Sequence, residues 1–203
     1  APAHDRPLSD ISAGSVLIAQ ADEAALRAAR IWATAGPAPA HHAYLVRKQV
    51  ASLGLRCDAR GRLVVPLQDA HGRLHTLATI APDGAKRFLA GGAKRGHFSV
   101  IGMDPAQMPD HSGPILICEG WATGASLAMA TGHAVIAAMD AGNLFPVAQA
   151  LRARLPDADL VIVADNDLRP ERDTNPGVEA ARKAALPVPD DFGDFWRALE
   201  WMG

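Results

Sequence analysis

Three carboxylates give the first chemical lead in this chain. Glu119 follows the apolar run Ile115-Leu116-Ile117-Cys118, and Asp165 and Asp167 come directly after the apolar run Leu160 to Ala164. Side chains two residues apart on an extended strand point the same way, so Asp165 and Asp167 would share a side. Gathering Glu119 beside them is repulsive unless a cation sits between them. Mg²⁺ takes one or two carboxylates plus water and substrate phosphate oxygens, so a glutamate with an Asp-x-Asp pair is a suitable donor set. An Asp-x-Asp after a strand serves equally well as a solvated turn or a helix cap. Glu119 at the matching end of another strand tips the balance toward metal. Asp190, Asp191 and Asp194 form a second acidic group, in which Asp190 and Asp191 suit a helix start as well as a ligand role.

These residues need a scaffold, and the pattern around them supplies one. Short apolar runs at Ile115–Cys118, Ala134–Ala138 and Leu160–Ala164 alternate with helical stretches at Ala122–Thr131 and Asn143–Leu155. That is the signature of a parallel sheet buried on both faces. In such sheets ligands gather at the carboxyl ends of the strands, where Glu119 and Asp165 stand. A further helix is expected from Asn175-Pro176 to about Ala185, with Asn as cap and Pro in the first turn. A short strand is expected at Pro187 to Pro189 and a last helix from Asp194 to Trp201.

The upstream part reads differently. Residues 1 to 20 suggest a loose lead-in, with Val16 to Ala19 able to form a short strand, and Asp22 to Ala35 a helix stopped by Gly36-Pro37. A second helix is expected from Ala43 to Leu53 with Gly54 as its left-handed cap. Then come strand-like pieces, Arg62–Leu67, Arg73–Ile80, Lys86–Leu89 and His97–Ile101, separated by Asp69-Ala70-His71-Gly72 and Pro82-Asp83-Gly84; they imply hairpins. The expected class is α/β: a lead-in at 1–20, a small α+β basic subdomain at 21–104 and, past a Pro- and Asp-rich join, a parallel-sheet domain at 112–203.

Composition bounds the function. The 203 residues carry 20 Lys and Arg against 22 Asp and Glu, which excludes a uniformly basic nucleic-acid coat. The charge is split, however. Residues 43–101 hold ten Lys or Arg and three Asp, whereas 102–203 hold seven Lys or Arg and fifteen Asp or Glu. One half suits polyanions and the other suits a cation. Two cysteines, Cys57 and Cys118, are too few for a disulfide scaffold or a four-ligand structural zinc site and point to a reducing, cytoplasmic setting. No apolar run nears the roughly 20 residues of a membrane helix, and the first residues lack the order of a signal peptide. With Ala1 leading, the chain reads as a processed protein or a piece of a longer one.

The motifs taken together carry a resemblance. Ile117-Cys118-Glu119-Gly120-Trp121-Ala122-Thr123-Gly124, Asp140-Ala141-Gly142-Asn143-Leu144, Ala164-Asp165-Asn166-Asp167, Asn175-Pro176-Gly177 and Phe192-Gly193-Asp194-Phe195 resemble, in that order, the toprim domain of plasmid and phage primases of the TraC type. Arg62 to Leu67, Gly72-Arg73-Leu74, Lys86-Arg87-Phe88-Leu89 and Lys94-Arg95-Gly96 are similar to the basic subdomain of bacterial primases of the DnaG class. The resemblance implies general acid/base or metal-binding work for Glu119 and metal binding for Asp165 and Asp167. Thr123 stands where many primases have another Asp. The last motif keeps Asp194 alone of its acids, which weakens a second metal.

It also implies a DNA primase core of a mobile element, a nucleotidyltransferase using Mg²⁺ or Mn²⁺ to make short primers on a single-stranded DNA template from nucleoside triphosphates. A helicase or zinc-binding segment would lie elsewhere. On this reading Lys86, Arg87, Lys94 and Arg95 face the acidic crevice and hold phosphates, with Arg47, Lys48, Arg60 and Arg62 as weaker candidates. The alternatives are a toprim nuclease, disfavoured because Tyr44 is the only tyrosine, and a non-catalytic nucleic-acid-binding module. His41-His42 reads as exposed. Trp32, Trp196 and Trp201 read as helix packing residues, Trp121 or Trp196 stays open to base stacking, and Cys118 reads as a small core hydrophobe.

Overall fold

In the computed structural model, which describes residues 8–165, 176–185 and 196–201, helix α1 runs from Leu8 to Thr34. The expected lead-in and the short strand at Val16 to Ala19 are therefore corrected: both belong to this helix from Leu8 onward. No proline interrupts residues 8–34, so a helix nucleated where α1 packs can propagate toward its N-terminus at little cost per residue. The packed part is its second half, where Ala24 and Ala28 are fully buried and meet the sheet.

That sheet has five antiparallel strands, β1 (Gly36–Pro37), β2 (Arg56–Cys57), β3 (Leu63–Gln68), β4 (Leu74–Ile80) and β5 (Lys86–Phe88), in sequential order. Helix α2 (Ala43–Lys48) lies between β1 and β2. It stops at Gln49, itself left-handed at φ 55°, and not at the expected Gly54. His42 corrects another expectation. It is buried, its Nδ1 accepting the Tyr44 amide at 3.3 Å while its Nε2 lies 2.9 Å from the Gly61 carbonyl oxygen, so it caps α2 and ties it to the β2–β3 turn.

The second sheet holds β6 (Ser99–Ile101), β7 (Ile115–Cys118), β8 (Ala134–Ala137), β9 (Leu160–Asp165) and β10 (Trp196–Trp201), in the order β10-β9-β7-β8-β6. Four strands are parallel and β6 is an antiparallel edge. Two corrections follow. The strand near His97–Ile101 joins this sheet through β8, and a bridge from Phe98 to Gln68 links its start to the hairpin sheet. Residues 196–201 are a strand paired to β9 and not a helix, so Trp196 and Trp201 are strand residues. The Trp-Arg-Ala-Leu-Glu-Trp run has no decisive period, and parallel pairing beside β9 settles it. Pro187 to Pro189 lies outside the described residues.

Between the strands run a short 3₁₀ turn (Pro105–Asp110) and helices α3 (Trp121–Thr131), α4 (Ala141–Arg154) and α5 (Pro176–Ala185). One face of the parallel sheet, with Leu116, Cys118, Val135 and Val163, shares a continuous apolar cluster with Leu63, Val65, Leu67 and Ile80 of the antiparallel sheet. The other face, with Ile117, Ile136 and Ile162, is covered by α4 and α5. Gly124 shows how closely α3 is set down: a Cβ there would lie 2.8 Å from Ile101 Cδ1 and 3.1 Å from Cys118 Sγ. No helix among the described residues is long and apolar enough to cross a membrane.

Candidate functional site

Parallel pairing puts the carboxyl ends of β7, β8 and β9 at one edge. Cys118 is level with Ala137 on one side and Val163 on the other, so Glu119 is one residue past that level and Asp165 two past. Both sit at ends of adjacent strands. Glu119 is half-buried. Asp167 and Asp194 lie outside the described residues, and among the described residues no three acidic, His or Cys side chains form a metal cluster. Glu119 and Asp165 are all-oxygen donors on neighbouring strand ends, a set that fits a hard divalent cation.

The strand between them in sequence, β8, ends in a strained turn. Met139 has φ 73°, a left-handed conformation that costs a non-glycine residue roughly 1–3 kcal/mol. Its side chain is buried in the core between the sheets, and its carbonyl accepts the Lys86 ammonium from β5. Next to it, Asp140 caps α4 by accepting the Asn143 amide at 3.0 Å. Its other oxygen holds Lys94 Nζ at 2.5 Å. The Phe88 ring lies against both ammonium groups, 5.5 Å from Lys86 and 5.0 Å from Lys94. Two lysines of the antiparallel sheet and its following loop therefore reach the carboxyl edge of the parallel sheet.

Asn143 secures that loop. It is 2% exposed; its Nδ2 donates to the carbonyls of Ala138 (2.8 Å) and His97 (2.9 Å), and its Oδ1 accepts the Gly96 amide at 2.8 Å. The sequence marked the Asp140 to Leu144 motif without a role for Asn143; only the fold brings residues 96 and 97 to it. A partner removed from a buried hydrogen bond costs about 1–3 kcal/mol. Asn143→Ala is expected to lower stability by at least about that amount and to speed amide exchange at Gly96, measured by urea melts and hydrogen exchange; a Gly96 amide as protected as in the wild type would count against the clasp. Gly92 lets the same loop lie close, since a Cβ there would stand 2.0 Å from Thr76 Oγ1.

A cleft of about 460 Å³ opens beside this edge, lined by Arg47, Lys48, Lys86, Gly120 and Thr123. Gly120 caps α3 with no side-chain hydrogen bond, leaving first-turn amides for other acceptors. Thr123 and Lys86 are thus brought together, and Arg47 and Lys48, ranked lower by sequence, line the same cleft. Trp121 is 3% exposed, which corrects its reading as open to base stacking.

Two of the expected phosphate-binding residues face elsewhere, and this is the main correction to the site. Arg87 alternates with Lys86 and Phe88 on β5 and lines a different cleft, together with Arg62. Arg62 is also closed onto Asp58 by a 2.8 Å hydrogen bond and a 2.6 Å ion-pair contact. Arg95 is exposed on the loop that Asn143 clasps.

Behind the loop lies a histidine pair. The His75 and His97 rings are 4.1 Å apart, and His75 Nε2 is 2.8 Å from Asp69 Oδ2. His97 is held below its ordinary value of 6.5 by burial and then by the neighbouring His75, against the opposing pull of Asp69 and the carbonyls of Arg95 and Ala93. Below pH 6.5 the unfolded chain takes up a proton that folded His97 resists, so stability should fall as pH drops from 7 toward 5. Urea melts across that range should show the loss, and His97→Phe should flatten it; an unchanged slope would remove His97 as the cause.

Residues 114–193 match the toprim domain family. The chain is 41% identical over 140 residues to an Escherichia coli DNA primase TraC, which covers 66% of this chain and 13% of that protein. A second E. coli DNA primase TraC is 41% identical over 151 residues, 71% of this chain and 10% of that protein. The chain spans roughly a tenth of the length of these curated relatives. Among solved structures, the DnaG catalytic core has a TM-score of 0.56 at 15% identity, covering 91% of this chain and 72% of that one. The DnaG primase catalytic domain bound to ssDNA has a TM-score of 0.57 at 13% identity, covering 83% and 67%. These two likenesses show the shared fold.

Proposed function

The chain carries a toprim domain and is related to the TraC primases, and from that premise we propose that it is the catalytic core of a DNA primase from a plasmid or phage. It would join nucleotides into short primers on a single-stranded DNA template. One observation carries this reading: Lys86 and Lys94 are held at the end of β8, the neighbour of β7, at the sheet edge where β7 leads into Glu119 and β9 ends in Asp165. Cations for a triphosphate and carboxylates for a metal are needed side by side in phosphoryl transfer.

Each residue then has a role. Asp165, with Asp167, would hold Mg²⁺ or Mn²⁺, and Glu119 would bind metal or accept the proton of the attacking 3′-hydroxyl. Arg47, Lys48 and Lys86, with the open first turn of α3 and Thr123, would hold the triphosphate by charge-assisted hydrogen bonds. When bound, the metal supplies charge neutralisation on the leaving pyrophosphate and a lowered pKa for the hydroxyl. The residues themselves supply position: two sheets sharing a core fix the distance between cations and carboxylates, which is worth rate in any displacement. Asp194 would contribute at most a second metal ligand. The reading places the protein in the cytoplasm, with a helicase or zinc-binding segment supplied by another part of a longer chain or by a partner.

Incubation with single-stranded DNA, Mg²⁺ or Mn²⁺ and labelled nucleoside triphosphates tests it. Template-dependent oligonucleotides support synthesis. Shortened DNA would replace it with a nuclease, and binding without either product would leave a nucleic-acid-binding module.

A further inference from the structure

Residues 90–97 cross from β5 to β6 between two fixed points. Leu89 donates its amide to the Leu77 carbonyl at 3.0 Å, and the fully buried Phe98 exchanges both backbone hydrogen bonds with Gln68. Between them Gly91 and Gly96 are left-handed, at φ 75° and 74°, so the segment can turn at both ends. One side of it is held by α4, where Asn143 bonds the Gly96 amide and the His97 carbonyl and Asp140 holds Lys94 Nζ. The other side rests on the His97 ring, 4.1 Å from that of His75. His97 therefore belongs to both contacts, its carbonyl to the α4 clasp and its ring to the histidine pair.

The pair has a counter-ion for one proton only. Asp69 accepts the amides of His71 (2.8 Å) and Arg73 (3.0 Å) with one oxygen and turns the other to His75 Nε2 at 2.8 Å. Burial opposes its ionisation, yet His75 and those amides hold its carboxyl below the usual range, so Asp69 stays an anion in mild acid. His97 lacks such a partner. Its Nδ1 is buried with no hydrogen bond among the described residues, and because an imidazolium carries N–H on both nitrogens, a proton there would go unpaired. The charged groups acting on the ring are His75 from β4 and Asp69 from the β3–β4 turn. Arg73 is turned to Asp22 of α1 at 3.6 Å, Lys94 to Asp140, and Arg95 is exposed; α4 meets the segment with the neutral Asn143 amide. Burial first, then His75, hold His97 below 6.5 against Asp69 and the carbonyls of Arg95 and Ala93.

We propose that the His75–His97 pair is a proton-operated latch on residues 90–97: with His97 neutral the segment is docked on α4 and Lys94 stands at the carboxyl edge, whereas a second proton on the pair ejects the His97 ring, breaks the bond from Asn143 to its carbonyl and draws Lys94 off Asp140. Acid would thus remove a cation from that edge before the two cores are disturbed. Opening takes up a proton, because the freed ring returns toward 6.5, so the open population grows as pH falls below that value and is constant above it.

The test is hydrogen exchange and NMR on the full chain from pH 7.5 to 5.5. Protection of the Gly96 amide, taken as a ratio to that of Ile117 in the central strand β7, should fall by up to about tenfold per pH unit below 6.5, the slope of a one-proton uptake. The Asn143 Nδ2 protons, which the Ala138 and His97 carbonyls accept, should shift over the same range. His97→Phe keeps a ring without a proton site and should hold the ratio flat. His75→Gln still donates to Asp69 but brings no second charge, so its loss of protection should be smaller than that of the wild type, a change that a packing defect would not produce. Melting temperatures at pH 7.5 are read alongside. A wild-type ratio unchanged between pH 7.5 and 5.5, or the wild-type slope persisting in both variants, overturns the proposal. Both readouts concern the protein alone, so the latch stands or falls separately from the primase reading.

Discussion

Asp165→Asn is expected to lower metal-dependent primer synthesis by about 100- to 1,000-fold, because a metal ion's stabilisation of transferring phosphoryl charge is worth several kcal/mol and each 1.36 kcal/mol is tenfold in rate. The substitution keeps the size of the side chain at the last residue of β9 and removes one negative charge from the edge that also carries Glu119. Relief of like-charge repulsion should leave the melting temperature unchanged or slightly raised. Asp167→Asn is expected to do the same. Mg²⁺ or Mn²⁺ titration by calorimetry, with turnover and thermal melts, separates lost metal from lost fold. Normal turnover in both variants would withdraw the metal assignment, whatever the melts show.

The second large effect concerns Glu119. It directly follows β7 and precedes the Gly120 cap of α3, so its backbone is fixed by a fully buried strand on one side and a helix start on the other. Glu119→Gln preserves size and hydrogen bonding and removes the ability to take a proton or bear charge. Proton transfer by a positioned side chain contributes about 10²–10⁴-fold, and synthesis should fall by that order. Single-stranded DNA binding, which we propose runs through the arginines and lysines of residues 43–101, should be nearly unaffected. Measuring turnover, binding and melting on one preparation checks this; synthesis near the wild-type rate would reduce Glu119 to a strand-end residue.

The scaffold around the candidate carboxylates is legible in the sequence. The runs Ile115–Cys118 and Leu160–Ala164 are too short for helices and too uniformly apolar for half-exposed strands, so burial on both faces follows, and with it the adjacent strand ends where Glu119 and Asp165 stand. Gly132 after Thr131 acts as the expected helix boundary, left-handed at φ 71°, whereas α4 starts at Ala141 behind an Asp140 cap, two residues before the expected Asn143. Residues 8–21 and 196–201 differ from the expectation of their local pattern for one common reason. In each, local preference is weak, and a partner distant in sequence decides the state: the packed half of α1 extends its helix, and β9 recruits β10.

The amino-acid sequence by itself determined the alternation of strands and helices, the charge split, and the carboxylates at strand ends, because these follow from local period and composition. Tertiary structure alone decided which cations reach that edge of the sheet. Lys86 and Arg87 are neighbours of like charge, indistinguishable by composition, yet period-two geometry turns one toward Met139 and the other toward Arg60 and Arg62. Which face of β5 meets the parallel sheet depends on how two apolar faces far apart in the chain merge into one core. The roles of Asn143 and of the Lys94–Asp140 pair, 46 residues apart in sequence, arise from that same packing and have no local signature.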